Sequence, residues 1–216
     1  LIEFVKTSSA SSDLLPTVAD FLIWFARDKE KIKYRQLYRA KVPGESGATK
    51  YGFLLLPNGE SRTVNTDERL NSGLLLTDSR IWTDDQLTSQ KPPGSDPFEF
   101  RGNTFLPSPG FWKTNLDGLC RLGRSERIIV AGGNVRYMRF LDDFSVFGLS
   151  NLWADTGSVQ SRTDPKVYVV QTATSVIQRC ILMTTDPGDL VRDPTCGSGT
   201  TAQVAEAWGR RWITID

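Results

Sequence analysis

Histidine is absent from all 216 residues. That excludes histidine-ligated zinc, Ser-His-Asp triads and Cys-His dyads together. Cysteine is scarce: Cys120, Cys180 and Cys196 form an odd set with no Cys-x-x-Cys spacing, and read as free thiols of a reducing, cytoplasmic environment. Charge of either sign is not in excess, with 26 Lys plus Arg against 25 Asp plus Glu. A polycation is therefore excluded, but a local basic groove is not. Long apolar runs are missing too; segments such as Phe21 to Ala26 are far too short to span a bilayer, so no membrane partner is expected. At 39% hydrophobic and 24% charged residues the composition is that of a folded protein rather than a disordered one.

Both ends lie in extended apolar segments, Ile2-Glu3-Phe4-Val5 and Trp212-Ile213-Thr214-Ile215-Asp216, and the first residue is Leu1. The chain is expected to be an internal piece of a longer protein. Asp20 to Ala26 is a near-continuous apolar run, which predicts a strand buried on both faces of an α/β sheet. A basic stretch, Arg27 to Lys41, follows with Tyr34 and Tyr38 interleaved. From about Val42 to Asn151, Pro, Gly and Asn break every apolar segment. Hairpins are predicted around Pro57-Asn58-Gly59 and Arg101-Gly102-Asn103, and a helix over Leu116 to Arg124 with Asn115 as cap. Val167 to Val170 reads as a short strand. Trp82, Trp112 and Trp153 read as local core, and the acid pairs Asp84-Asp85 and Asp142-Asp143 as loop acids with too few ligands for a metal. No metal site is expected.

Order returns in the last third. Thr174 to Met183 is a predicted helix with Val176, Ile177, Cys180 and Ile181 on one face. Leu190-Val191-Arg192 is a strand, and Thr200 to Trp208 a helix offering Ala202, Val204, Ala205 and Trp208 to a sheet. Gly209 stops that helix, and Trp212 to Ile215 is the next strand. Between the first strand and the helix lies Asp193-Pro194-Thr195-Cys196-Gly197-Ser198-Gly199-Thr200. Two glycines let the backbone bend sharply and admit a ligand to contact distance. The helix start points N–H groups and a positive dipole end at the same space. Asp216 falls 19 positions after Gly197, at the end of the next strand, where a carboxylate could take ribose hydroxyls. Two cofactors suit this order: a nicotinamide dinucleotide, since Gly197-x-Gly199-x-x-Ala202 satisfies its fingerprint, or S-adenosylmethionine.

The run Asp189 to Thr201 resembles the methionine-cofactor loop of amino-group (N4-cytosine/N6-adenine) DNA methyltransferases. The run Val169 to Ile181 resembles the helix preceding that loop in the circularly permuted members. The resemblance implies an α/β, Rossmann-like S-adenosylmethionine-dependent methyltransferase sheet with an irregular, mostly β insertion. In that scheme residues 1–41 are late strands of the catalytic half, 42–151 a target-recognition-like insertion, and 152–216 the cofactor-binding half. It implies S-adenosylmethionine as cofactor, held by Asp193, Pro194, Thr195, Gly197, Ser198, Gly199 and Thr200, with Asp216 on the ribose. It also implies double-stranded DNA as substrate, adenine N6 as methyl acceptor, and a restriction subunit as partner.

The family's Asp/Asn/Ser-Pro-Pro-Tyr/Phe tetrapeptide does not occur in the sequence. Asp96-Pro97-Phe98-Glu99 lacks the second proline. In the permuted order the true motif is expected ahead of Leu1, so no catalytic residue is assigned and the chain alone is expected to be inactive. Methyl transfer to an amine needs alignment rather than histidine or metal, which suits the composition. Candidate DNA contacts are Lys6, Lys31, Lys33 and Arg35 near the amino end, and Arg121, Arg124 and Arg127 beside the predicted helix.

Overall fold

The computed structural model describes residues 1–6, 12–157 and 171–216. The strand expected at Val167 to Val170, and most of the turn after Lys6, lie outside them. In chain order the first strands are β1 (Ile2–Val5), β2 (Ala19–Leu22), β3 (Tyr38–Ala40), β4 (Phe53–Leu55) and β5 (Ser61–Thr63). The helix α1 (Thr66–Leu70) follows, then β6 (Arg80–Gln86), β7 (Thr88–Ser89), β8 (Phe98–Phe100), β9 (Asn103–Phe105) and β10 (Phe111–Trp112). Next come α2 (Leu116–Arg124), β11 (Ile128–Ala131), β12 (Asn134–Phe140), β13 (Val146–Gly148) and β14 (Leu152–Trp153). The chain closes with α3 (Thr174–Thr184), β15 (Leu190–Asp193), α4 (Thr200–Ala207) and β16 (Arg211–Thr214). The architecture is mixed α/β with several small sheets. Contacts divide it into two compact units, residues 1–39 with 148–216, and residues 40–147.

The second unit is built on a five-stranded antiparallel sheet in the order β11-β12-β6-β4-β5. Phe53 pairs with Trp82 across the ladder, and their rings stack at 4.6 Å. The turn at Pro57-Asn58-Gly59 closes β4 on β5, with Gly59 at φ 85°, a region an L side chain avoids. One core gathers Leu87, Phe98, Phe105, Trp112, Leu119, Ile128 and Val135. A second gathers Ala48, Tyr51, Leu54, Val64 and Ile81. The predicted helix forms as α2, and the Asn115 side chain accepts from the Gly118 N–H at 2.9 Å. Trp82, Trp112 and Trp153 are all buried.

The first unit holds a three-stranded sheet, β14-β1-β2, with β1 parallel to β14 and antiparallel to β2. Its core is Ile2, Phe4, Trp153, Ala173, Val176 and Met183. The same unit carries β15 and β16, a parallel pair joined by α4, with Val191 against Ile181, Val204 and Ala205. Helix α4 ends in a Schellman turn. The Gly209 N–H donates to Glu206 and the Arg210 N–H to Ala205, with Gly209 at φ 70°.

Three expectations are corrected. The run Asp20 to Ala26 is not a doubly buried strand. Only Ala19–Leu22 is strand, among the described residues it pairs with β1 alone, and Phe21 (59%), Ile23 (69%) and Phe25 (84%) are exposed. A continuous apolar run records the capacity to be buried, whereas burial requires neighbours on both faces. Trp208 is 43% exposed because α4 ends at Ala207, and Trp208 leaves the helical rotation at φ −104°. Asp84 and Asp85 lie within β6, not a loop. Asp84 pairs with Arg136 at 2.9 Å and Asp85 with Arg139 at 2.8 Å.

Candidate functional site

The glycine-bearing loop between β15 and α4 is fixed at both ends. Ile215 N–H donates to the Asp193 carbonyl and Cys196 N–H to the Ile215 carbonyl, each at 2.9 Å. Asp193 Oδ1 accepts from the Thr195 N–H at 3.1 Å, which turns the chain directly after Pro194 has ended the strand. Gly197 (φ 53°) and Gly199 (φ 75°) then take left-handed backbone, and the Gly199 N–H closes back on the Cys196 carbonyl at 3.0 Å. Gly199 is the N-cap of α4. It has no side chain to occupy the first-turn amides, and a Cβ placed there would meet nothing within 4 Å. Beside the loop lies a cleft of about 360 Å³.

The structure brings Asp193, Thr195, Gly197, Ser198 and Thr200 to the wall of that cleft. Ser198 Oγ and Thr200 Oγ1 lie 2.7 Å apart. Pro194 and Gly199 shape the loop without lining the cleft. Asp216 is exposed, follows the Ile215 peptide that bonds the loop, and is not among the lining residues. Sequence reasoning did not assign Thr172, Ile177, Arg192, Cys196 and Thr201, which also line it. Cys196 and Thr201 were legible as members of the loop motif. Ile177 was read only as helix packing, and its dual role follows from α3 lying beside β15.

The basic residues are mostly ion-paired. Lys6 pairs with Asp20 at 3.2 Å and Lys31 with Asp28 at 3.5 Å. Lys33 lies between Asp186 (2.9 Å) and Asp189 (2.5 Å), and Arg35 pairs with Asp186 and donates to the Thr185 carbonyl at 2.7 Å. Arg121 pairs with Asp117 one turn back on α2. Arg127 grips Asp143 and stands 4.1 Å from the Phe140 ring, whose centroid is 3.7 Å from Arg80. Burial opposes charge on Asp143, but hydrogen bonds from Arg127 and the Phe140 N–H, with the Arg127 charge, hold its carboxyl below the usual range. Arg127 is thereby a tie of the sheet to Asp143. Arg124 is exposed, and no ion pair is formed to it among the described residues. All three cysteines are free, and no group of His, Cys, Asp or Glu among the described residues is placed to hold a metal. Among the described residues no helix is long and apolar enough to cross a membrane.

A family model described as DNA methylase, of the N6/N4 methyltransferase kind, matches residues 2–216. The type II methyltransferase M.EcaI of Enterobacter cloacae is 31% identical over 121 residues, 55% of this chain and 26% of the relative. M.BamHI of Bacillus amyloliquefaciens is 38% identical over 68 residues, 32% of this chain and 16% of the relative. M.HinfI of Haemophilus influenzae is 36% identical over 72 residues, 33% of this chain and 20% of the relative. The chain thus spans about a sixth to a quarter of the length of these curated relatives. With nearly all of its residues matched, the chain belongs to the DNA methylase family.

Proposed function

We propose that this member of the DNA methylase family supplies the S-adenosylmethionine site and the DNA-recognition unit of a type II enzyme that methylates the N6 amino group of adenine in duplex DNA. The observation that carries the reading is the parallel β15–loop–α4–β16 unit, with its glycine loop opening on a cleft of about 360 Å³. That volume lies in the range of small-molecule sites, roughly 300 to 1,000 Å³. On this reading the small sheets of the first unit are parts of a Rossmann-like methyltransferase sheet.

The residues present fit the cofactor. Uncapped first-turn amides of α4 suit a carboxylate, such as that of the methionine part. Asp193, whose orientation is set by the Thr195 N–H, offers a carboxylate to a cationic ligand. Thr195, Ser198 and Thr200 offer hydroxyls, and Ile177 an apolar wall. Asp216 is assigned to the ribose through the neighbouring Ile215 peptide, which ties the end of β16 to the loop. Bound there, S-adenosylmethionine supplies an electrophilic methyl group on a sulfonium.

The chain's own part is to bind and orient. No residue of it is assigned to hold the target amine, since the Pro-Pro-aromatic tetrapeptide does not occur in it. We assign that group to polypeptide outside these 216 residues, so the chain alone is expected to bind cofactor without turnover. Adenine rather than cytosine rests on similarity to permuted adenine enzymes. Among the basic candidates, exposed Arg124 carries a charge that no carboxylate among the described residues offsets. Lys33 and Arg35 would have to exchange carboxylates for phosphate. A restriction endonuclease is the expected functional partner.

Titration calorimetry of the chain with S-adenosylmethionine and, separately, with NAD tests the reading. Binding of the first alone supports it. Binding of NAD and not of S-adenosylmethionine overturns it in favour of a dinucleotide oxidoreductase.

A further inference from the structure

The hairpin β8–β9 ends in a two-residue turn, Arg101-Gly102, with both residues at positive φ (50° and 76°). Such turns favour Asn, Asp and Gly; arginine there carries a steric cost. Its guanidinium stands 5.2 Å from the Phe100 ring, and its carbonyl accepts from the Asn103 side-chain amide at 3.4 Å. Arg101, Gly102, Asn103 and Thr104 are all exposed, and a Cβ on Gly102 would meet nothing within 4 Å, so the tip stands clear of the fold.

The base of the same ribbon is held rigidly. Phe98 and Phe105, paired across the ladder, are buried with Trp112 and Leu119. The Trp112 indole donates to the Asp96 carbonyl at 2.8 Å, just ahead of β8. Helix α2 lies against the ribbon so closely that a Cβ on Gly123 would come within 3.3 Å of Phe100. The next residue is the exposed Arg124. A preorganised two-stranded ribbon with a cationic tip, beside an unpaired arginine, suits one kind of partner. A β-ribbon enters the DNA major groove, where arginine reads guanine and asparagine reads adenine. The flank carries Glu99 opposite Thr104, so the tip rather than the flank faces a polyanion.

We infer that the β8–β9 tip reads base edges in duplex DNA through Arg101 and Asn103, while Arg124 contacts the adjacent backbone phosphate. The inference rests on the DNA methyltransferase reading and assigns its sequence-reading element. An acidic protein partner is the competing occupant.

The test selects from a pool of randomised DNA duplexes with the full chain and with Arg101→Gly, Asn103→Ala and Arg124→Ala. Arg101→Gly removes the steric cost and keeps the turn, so its loss of function cannot be ascribed to misfolding. The expected result is a sequence motif for the unsubstituted chain and loss of preference at one or two base pairs for Arg101→Gly. Affinity for the selected duplex should then fall roughly tenfold or more. Arg124→Ala should keep the motif and lower the salt slope by about one. The same motif and affinity with Arg101→Gly overturns the hairpin assignment and leaves the methyltransferase reading standing. No DNA binding by the unsubstituted chain that still binds S-adenosylmethionine overturns it as well, in favour of the protein partner. Binding of neither overturns both.

Discussion

Both units bury a core, but they differ in how far their apolar strand residues are covered. In residues 40–147 the aromatic and aliphatic side chains of β6, β8 and α2 turn inward, and Trp112 and Leu119 are 2% and 0% exposed. In the other unit Leu190, Trp212, Ile213 and Ile215 are 44–53% exposed, and Ile23 and Phe25 after β2 are exposed further still. One unit is closed over its own core. The other also buries Trp153, Val176 and Ala205, but among the described residues it leaves Leu190, Trp212 and Ile213 of β15 and β16 exposed. Loop geometry can therefore be set by local backbone and a few hydrogen bonds, even where the sheet beside it is two strands wide among the described residues.

The largest effect should come from straining the loop. Gly199→Val places a β-branched residue at φ 75°, a backbone conformation L side chains avoid, between the cleft residues Ser198 and Thr200. Calorimetry should show loss of S-adenosylmethionine binding, while the unfolding transition of residues 40–147 stays in place; a variant that still binds would break the assignment of the loop. In the closed unit, Leu119→Ala should cost about 3 kcal/mol in denaturant unfolding. By contrast Ile213→Thr, on an open strand face, should change stability by no more than about 0.5 kcal/mol. Equal costs at the two sites would remove the distinction between the units.

Smaller effects sharpen it. Asn115→Ala deletes the cap of α2 and should cost about 1 kcal/mol. Glu68 is gripped by Arg62 and the Asn65 N–H, which lower its pKa from 4.5 to about 2. Because the folded value is the depressed one, its stabilisation is full above about pH 4.5 and fades as pH falls towards 2. Acid unfolding of Glu68→Gln should lack that component. Among the thiols, burial pushes Cys180 up to about 11, whereas Cys120 is exposed. A maleimide should label Cys120 first and Cys180 only after unfolding.

Much of this architecture was legible where the determinants are local. Asn115 before an amphipathic run, Gly59 and Gly102 in two-sided turns, and Gly209 after α4 each specify a backbone conformation from a few adjacent residues. Asn65-x-x-Glu68 and Gly132-Gly133 carried equally local signals, for the capped helix α1 and the β11–β12 turn, and were not read. What could not be read was pairing at a distance. The Asp84–Arg136 and Asp85–Arg139 pairs follow from the register of β6 on β12, more than fifty residues apart. Lys33 and Arg35 looked like free cations because Asp186 and Asp189 lie some 150 residues downstream.

By itself, then, the sequence determined the bend from Asp193 to Thr200, since two glycines, a proline and a helix start restrict φ and ψ without help from elsewhere. Tertiary structure alone decided which charges remain available to a ligand and which apolar strands are covered. Coulomb pairing and burial depend on the distance between groups that only the folded chain brings together.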